Sequence, residues 1–211
     1  MGQGEPPPWA HLADGARRFG IADVERGLRH RVPAELYTRA PGAAHSSAVL
    51  IPVYEEAGET FVVLTRRSPH LRTHRWEIAF PGGRQDHGES LEQTALREAH
   101  EEIALDGSTV RFLGQLDRLR TVSSNSGIVP FVGGLPGRPA VVPNPAEVEK
   151  VLHVPVAELT ADGVYREELW LHPGEHEVRA VHFFELVGDT VWGATANLLR
   201  QLLVVGLALP S

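Results

Sequence analysis

Between Gly82 and Leu105 the chain reads GGRQDHGESLEQTALREAHEEIAL, five glutamates and one aspartate on a stretch whose apolar residues recur at helical spacing. Leu91, Ala95, Leu96, Ala99 and Ile103 fall on one stripe of a helix running from Glu89 to Leu105. At about 100° per residue, Glu98 and Glu102 lie beside or inside that stripe, with Glu101 further round. A merely solvated acidic helix, the ordinary explanation of such composition, would carry its charges opposite the apolar face. Like charges one turn apart repel, so the pattern calls for a positive partner. Carboxylates at i, i+3 and i+4 converge on one point and can share a hard divalent cation, which takes oxygen ligands from carboxylates and substrate phosphates.

The residues around this helix extend the argument. Ahead of it, FPGGR supplies a rigid proline and two glycines, Gly82 and Gly83, that let the backbone approach a bound group closely. Glu89 stands at the helix start, where the dipole favours negative charge. Arg97 can hold a carboxylate in a two-point clamp and so fix the preceding loop.

SAVLIPVY (Ser47–Tyr54) and TFVVLTRR (Thr60–Arg67) flank the polar EEAGE and predict a hairpin. Further strand patterns are TVRFLGQL (Thr109–Leu116), GIVPFVGGL (Gly127–Leu135), EVEKVLHVPV (Glu147–Val156) and EVRAVHFFEL (Glu177–Leu186). GATANLLRQLLVVGLAL predicts a last helix with Leu198, Leu199, Leu202 and Val205 on its apolar face. One helix mid-chain and one at the end, among more numerous strands, predict a mixed sheet with helices packed on its faces. The Pro-rich start and helix-compatible stretches at Ala10–Phe19 and Ile21–His30 predict a helical extension, residues 1–40, ahead of a main domain, 41–211.

Composition narrows the partners. The formal net charge of -7 argues against a broad nucleic-acid surface, which needs clustered Lys and Arg. The absence of cysteine excludes disulfides, thiolate zinc sites and a cysteine nucleophile. The start lacks the apolar core of a signal peptide, and the run Leu202–Leu209 is too short to cross a bilayer, so a cytoplasmic chain without a membrane partner is expected. His70, His74, His87 and His100 sit in polar surroundings and make no ligand pair. Ser123, Ser124 and Ser126 around Asn125 read as a loop, without the partners of a serine nucleophile.

Gly83, five residues, Glu89, seven residues and then Arg97-Glu98-Ala99-His100-Glu101-Glu102-Ile103-Ala104-Leu105 resembles the signature box of Nudix hydrolases. That resemblance implies an α/β/α sandwich around a mixed sheet, and cleavage of nucleoside diphosphates linked to another moiety with Mg²⁺ or Mn²⁺ on this helix. Ala104 stands where glycine is expected, with Gly107 ending the helix slightly later instead. VLTRRSPHLRTHRWEIAFPGG (Val63–Gly83) is similar to the segment that precedes the box in coenzyme A pyrophosphatases, through Thr65, Arg67, Ser68, Leu71 and Phe80–Gly83. Trp76 replaces the usual glycine there, and Glu77 a glutamine. GIVPFVG, NPAEVEKVLHVPVAEL and VWGATANLLRQLL resemble later segments, so the likeness covers about Ser46 to Leu203 and implies a homodimer.

On this footing Glu98 and Glu102 are the main metal ligands, with Glu101 a third ligand or the group that orients water. Glu147 is one candidate for the general base, or equally a solvated residue before a strand. Arg67 and Arg72 either grip phosphates, or are ordinary surface residues, or pair with an acid. The expected reaction splits coenzyme A or a thioester of it into 3′,5′-ADP and 4′-phosphopantetheine. The alternatives are a Nudix enzyme for a nucleoside triphosphate, ADP-ribose or a dinucleoside polyphosphate, and a non-catalytic Nudix-fold sensor. A sensor would be expected to lose box carboxylates, which are all present here.

Overall fold

The computed structural model describes residues 2–34, 45–120, 126–171 and 178–210. The first half of the chain forms β1 (Gly2–Gln3), α1 (Ile21–Leu28), β2 (His45–Glu56), β3 (Glu59–Arg67), β4 (Ile78–Ala79), β5 (Gly82–Arg84) and α2 (Leu91–Ile103). The second half forms β6 (Arg111–Gln115), β7 (Leu119–Arg120), β8 (Ser126–Gly134), β9 (Val148–Pro155), α3 (Val156–Leu159), β10 (Tyr165–Trp170), β11 (Arg179–Leu186), β12 (Asp189–Trp192) and α4 (Gly193–Gly206).

The hairpin predicted around EEAGE is β2–β3. Ala57 and Gly58 both take positive φ, 52° and 79°, as a two-residue turn matching the right-handed twist of its strands requires. β2 pairs with β3 only from Val53 to Glu56 and then diverges from it. The β4–β5 segment enters the gap: β5 pairs with β2 at Ser47–Val49, and β4 pairs with β3 at Thr65 and Arg66. β9 lies antiparallel on β3, β6 and β7 lie antiparallel on β8, and β2 and β8 run parallel. The sheet is therefore mixed, as the sequence pattern predicts.

Neighbouring residues of one strand serve opposite layers. Leu50 and Val63 face α2, where Ala95, Ala99 and Ile103 are buried. Ile51, Val62 and Leu64 face the other side, where α4 buries Leu198, Leu199, Leu202 and Leu203, and α1 buries Val24 and Leu28. The two-residue period of the strands meets the helical stripes on both faces, which gives the α/β/α sandwich. Among the described residues no helix is long and apolar enough to cross a membrane.

A second, antiparallel sheet, β1-β10-β11-β12, packs beside the first. The strand predicted over Glu177–Leu186 is its β11; Glu177 itself lies outside the described residues, as do Ser123, Ser124 and Asn125.

The predicted helix at Ala10–Phe19 is instead a turn followed by one 3-10 turn at Asp14–Ala16. Arg17 turns inward there: Nε donates to Leu12 O at 2.8 Å, a carbonyl that a helix would have bonded internally, and Nη1 donates to Thr160 O at 3.1 Å, across the core. Trp9 is 1% exposed, packed edge-on to Tyr165 and stacked on Phe184. Residues 2–34 thus share the core of the rest, and the boundary expected at residue 40 falls outside the described residues.

The end of α2 also differs from expectation. The helix stops at Ile103, and Ala104 itself takes the left-handed conformation, φ 53° and ψ 29°. Its N–H bonds to His100 O at 2.8 Å and that of Leu105 to Ala99 O at 3.3 Å, which reverses the chain at once and buries Leu105. Gly107 begins a separate 3-10 turn instead, entered through Asp106.

Candidate active site

The entry to α2 is built by its own sequence. Ser90 Oγ accepts from Gln93 N at 3.2 Å, and Gln93 Oε1 accepts from Ser90 N at 2.8 Å, a reciprocal cap that satisfies open amides of the first turn. Arg97 reaches back from the helix to Glu89: Nε donates to Oε1 at 2.7 Å and Nη2 to Oε2 at 3.3 Å. Nη2 also donates to the Arg84 carbonyl at 3.1 Å, so one guanidinium ties the helix to β5 and to the loop between them. Hydrogen bonds from Arg97, helped by those from Thr94 and Asp86, hold the Glu89 carboxyl down to about 2.

The same guanidinium reaches forward. Its Nη1 lies 3.0 Å from Glu98 Oε1 and 2.8 Å from Glu101 Oε2. Glu98 is thereby held over the glycine turn, so closely that a Cβ on Gly83 would sit 2.5 Å from its carboxyl carbon. A side chain on Gly83 would push that carboxylate aside, whereas a Cβ on Gly82 would meet the backbone itself, 2.4 Å from Ala48 O. Burial raises the pKa of Glu98, with the charges of Glu101 and Glu147 adding and Arg97 opposing.

Glu102 is the most enclosed of the acids, 3% exposed. Burial pushes its pKa up to about 8, with Glu98 and Glu147 adding and with Arg67 and a hydrogen bond from the Gly82 N–H opposing. Arg67 Nη1 stands 3.8 Å from Glu102 Oε1, whereas Glu102 Oε2 is buried without a hydrogen-bond partner. An orphaned buried carboxylate oxygen is costly in a folded protein unless a further group meets it.

Glu147 faces this pair from the start of β9 and is half-buried. Its backbone is pinned by the Ser68 N–H, which donates to Glu147 O at 2.8 Å, while Asn144 N donates to Glu102 O at 2.8 Å. Ser68, 1% exposed, and Asn144 thus fix Glu147 and Glu102 through their backbone amides, a role that sequence reasoning gave to neither. Their signal was a serine buried just past a strand and an Asn-Pro turn ahead of Glu147. Arg72 lies exposed in the β3–β4 loop and is not brought to the acids. Glu101 is exposed and directed to Arg97.

Among the described residues no three His, Cys, Asp or Glu side chains already surround one point closely enough to hold an ion. The chemistry of Glu98 and Glu102 fits a divalent cation all the same. Their donors are oxygen, one oxygen is orphaned, and burial, helped by neighbouring carboxylates, raises both pKa values. A doubly charged ion removes both penalties at once.

The fold and the carboxylate helix define a class, hydrolases that act on nucleotide derivatives. A NUDIX domain profile matches residues 44–173, and the chain belongs to the Nudix hydrolase family. It is 40% identical to the uncharacterized Nudix hydrolase NudL of Yersinia enterocolitica over 162 residues, 75% of this chain and 80% of that protein. Nudix hydrolase 3 of Caenorhabditis elegans is 36% identical over 151 residues, 68% of this chain and 63% of that protein. Among solved structures, a MutT/nudix family protein from Enterococcus faecalis superposes with a TM-score of 0.53 at 16% identity, covering 86% of this chain and 67% of that one. That likeness concerns the fold. Nudix hydrolases use divalent metal ions and act on small-molecule nucleotides, which suits the oxygen-rich site.

Proposed function

We propose that this Nudix hydrolase cleaves the pyrophosphate linkage of coenzyme A or its thioesters, as a cytoplasmic homodimer. The observation that carries the reading is Arg67, the matching arginine of the Val63–Gly83 segment, placed 3.8 Å from the buried Glu102. An arginine there sits at the rim of a carboxylate cluster, where it can bind one phosphate bidentately while the acids hold a cation on the other side. Mg²⁺ or Mn²⁺, when bound, neutralises the anionic oxygens of the pyrophosphate and lowers the pKa of water.

The residues divide the remaining work. Glu98 and Glu102 hold the ion, with Glu101 a further ligand or the group that orients water. Glu147, facing the pair, takes the proton as the water oxygen bonds to one phosphorus. The bridging P–O bond breaks, its electron pair leaves on the departing phosphate, and the products are 3′,5′-ADP and 4′-phosphopantetheine. Gly82 and Gly83 let the backbone lie against the site, and Glu89 with Arg97 keeps that turn in register.

Trp76 favours a second reading, a Nudix enzyme for another nucleotide, because an exposed tryptophan replaces the usual glycine of the coenzyme A segment. Purified protein with Mg²⁺ or Mn²⁺, given coenzyme A, ADP-ribose, a nucleoside triphosphate and a dinucleoside polyphosphate, separates the two by product mass. Much faster turnover of any of the last three would overturn the coenzyme A reading.

A further inference from the structure

The second sheet has an aromatic outer face. Tyr165, Phe184 and Val191 are buried against the core. Arg166, Phe183 and Trp192, which alternate with them, align across β10, β11 and β12 on the opposite face. An antiparallel sheet with one face on the core usually presents polar residues on the other. Here Phe183 and Trp192 stack at 6.5 Å and 14°, and Trp170 lies 6.0 Å from Phe183.

Trp76, from the β3–β4 loop, stands across from them. It is 55% exposed and takes φ 65°, the left-handed conformation that explains why glycine is usual at this position. A bulky residue kept exposed in a strained conformation points to a function for its ring. The cleft between these elements measures about 640 Å³, within the roughly 300–1,000 Å³ of small-molecule sites. Arg66 lines it with its guanidinium held in place, Nε 2.9 Å from Glu149 Oε2 and Nη1 2.9 Å from Asp189 Oδ1, and 5.8 Å from the Trp76 ring centroid.

We propose that this cleft binds the nucleobase of the chain's substrate, stacking an amino-substituted purine on Trp76 and Trp192; this rests on the reading that the substrate is a nucleotide. Flat aromatic faces suit any base, and Arg75 and Glu77, which line the same cleft, offer a donor and an acceptor for ring nitrogens and an exocyclic amine. A quaternary ammonium group would meet Arg66 and Arg75, both cationic.

Arg67 is directed to Glu102 and Arg66 to Asp189, so these neighbours on β3 project from opposite faces of the strand. A nucleotide that reaches both passes around the end of β3, with its phosphates on the side of Arg67 and its base beside Arg66.

The test is the affinity of the metal-free full-length chain for AMP and for ribose 5-phosphate, which lacks the base. Wild type should bind AMP at least about fivefold more tightly, since stacking on an aromatic side chain contributes about 5- to 150-fold. That ratio should fall towards one in Trp76→Gly and in Trp192→Ala. Trp76→Gly also relieves the left-handed backbone, so it stays folded and decides the matter should Trp192→Ala unfold. A ratio near one in wild type, or unchanged in Trp76→Gly, overturns the proposal. So does a variant whose sole change, by sedimentation, is loss of self-association. If AMP behaves as expected while coenzyme A is not cleaved, the coenzyme A reading fails and the cleft assignment stands.

Discussion

Glu102 carries a cost that appears when pH is raised without a divalent ion. Its pKa is about 8 in the folded chain against an ordinary 4.5, so between those values the folded state keeps a proton that the unfolded state has released. The stabilisation from this difference is fully present below pH 4.5 and is lost as pH rises through about 8. At roughly 1.4 kcal/mol per pKa unit, and after allowance for relaxation of the site, the loss amounts to ~2–4 kcal/mol. Glu102→Gln keeps the shape, still accepts from the Gly82 N–H and does not ionise. In EDTA, wild type should therefore lose roughly 5–10 °C of Tm relative to Glu102→Gln between about pH 5 and about pH 9. The same substitution should abolish most hydrolysis. A Tm difference that does not change with pH would refute the burial argument. Near-normal turnover of the variant at saturating Mg²⁺ would refute the metal role.

Three further outcomes are expected. Glu89→Ala and Arg97→Ala should each slow hydrolysis, and the double variant little more than either, because both release the same loop; additive losses in the cycle would show that they act separately. Ala104→Gly should raise stability by about 0.5–1 kcal/mol, the relief of a left-handed alanine less the added freedom of the unfolded chain, and an unchanged or lower denaturant midpoint would contradict this. Trp9→Ala should cost about 3–5 kcal/mol, as for a buried core aromatic. A loss under about 1 kcal/mol would mean that the N-terminal segment is dispensable.

The helix of glutamates was legible because a charge inside an apolar stripe is a local contradiction, and contradictions of spacing survive in sequence. The hairpin was legible for a similar reason, two apolar runs around a polar turn. β10 was not: in YREELW an Arg and two Glu in succession interrupt Tyr, Leu and Trp, and its place depends on β11 beside it. Trp9 gave no periodic signal, since its burial is decided by Tyr165 and Phe184, more than 150 residues away in sequence. Arg67 and Arg72 were indistinguishable by type. Only the end of β3 directs the first towards Glu102 and leaves the second in a loop. At Ala104 the rule that glycine ends helices pointed to Gly107, whereas the early burial of Leu105 forces the reversal on alanine.

The parallel pairing of β2 with β8 sets an order on assembly. Its first partners, His45 and Ser126, are 81 positions apart (126 − 45), whereas β2 meets β3 across a two-residue turn. Closing the larger loop sacrifices far more chain entropy before any contact repays it. The hairpin therefore gains native pairing early, and β8 docks late. The carboxylate helix lies mainly against β2 and β5, so it can seat on the hairpin side first, and Val129 and Phe131 of β8 then complete the surface on which Ala95, Ala99 and Ile103 pack.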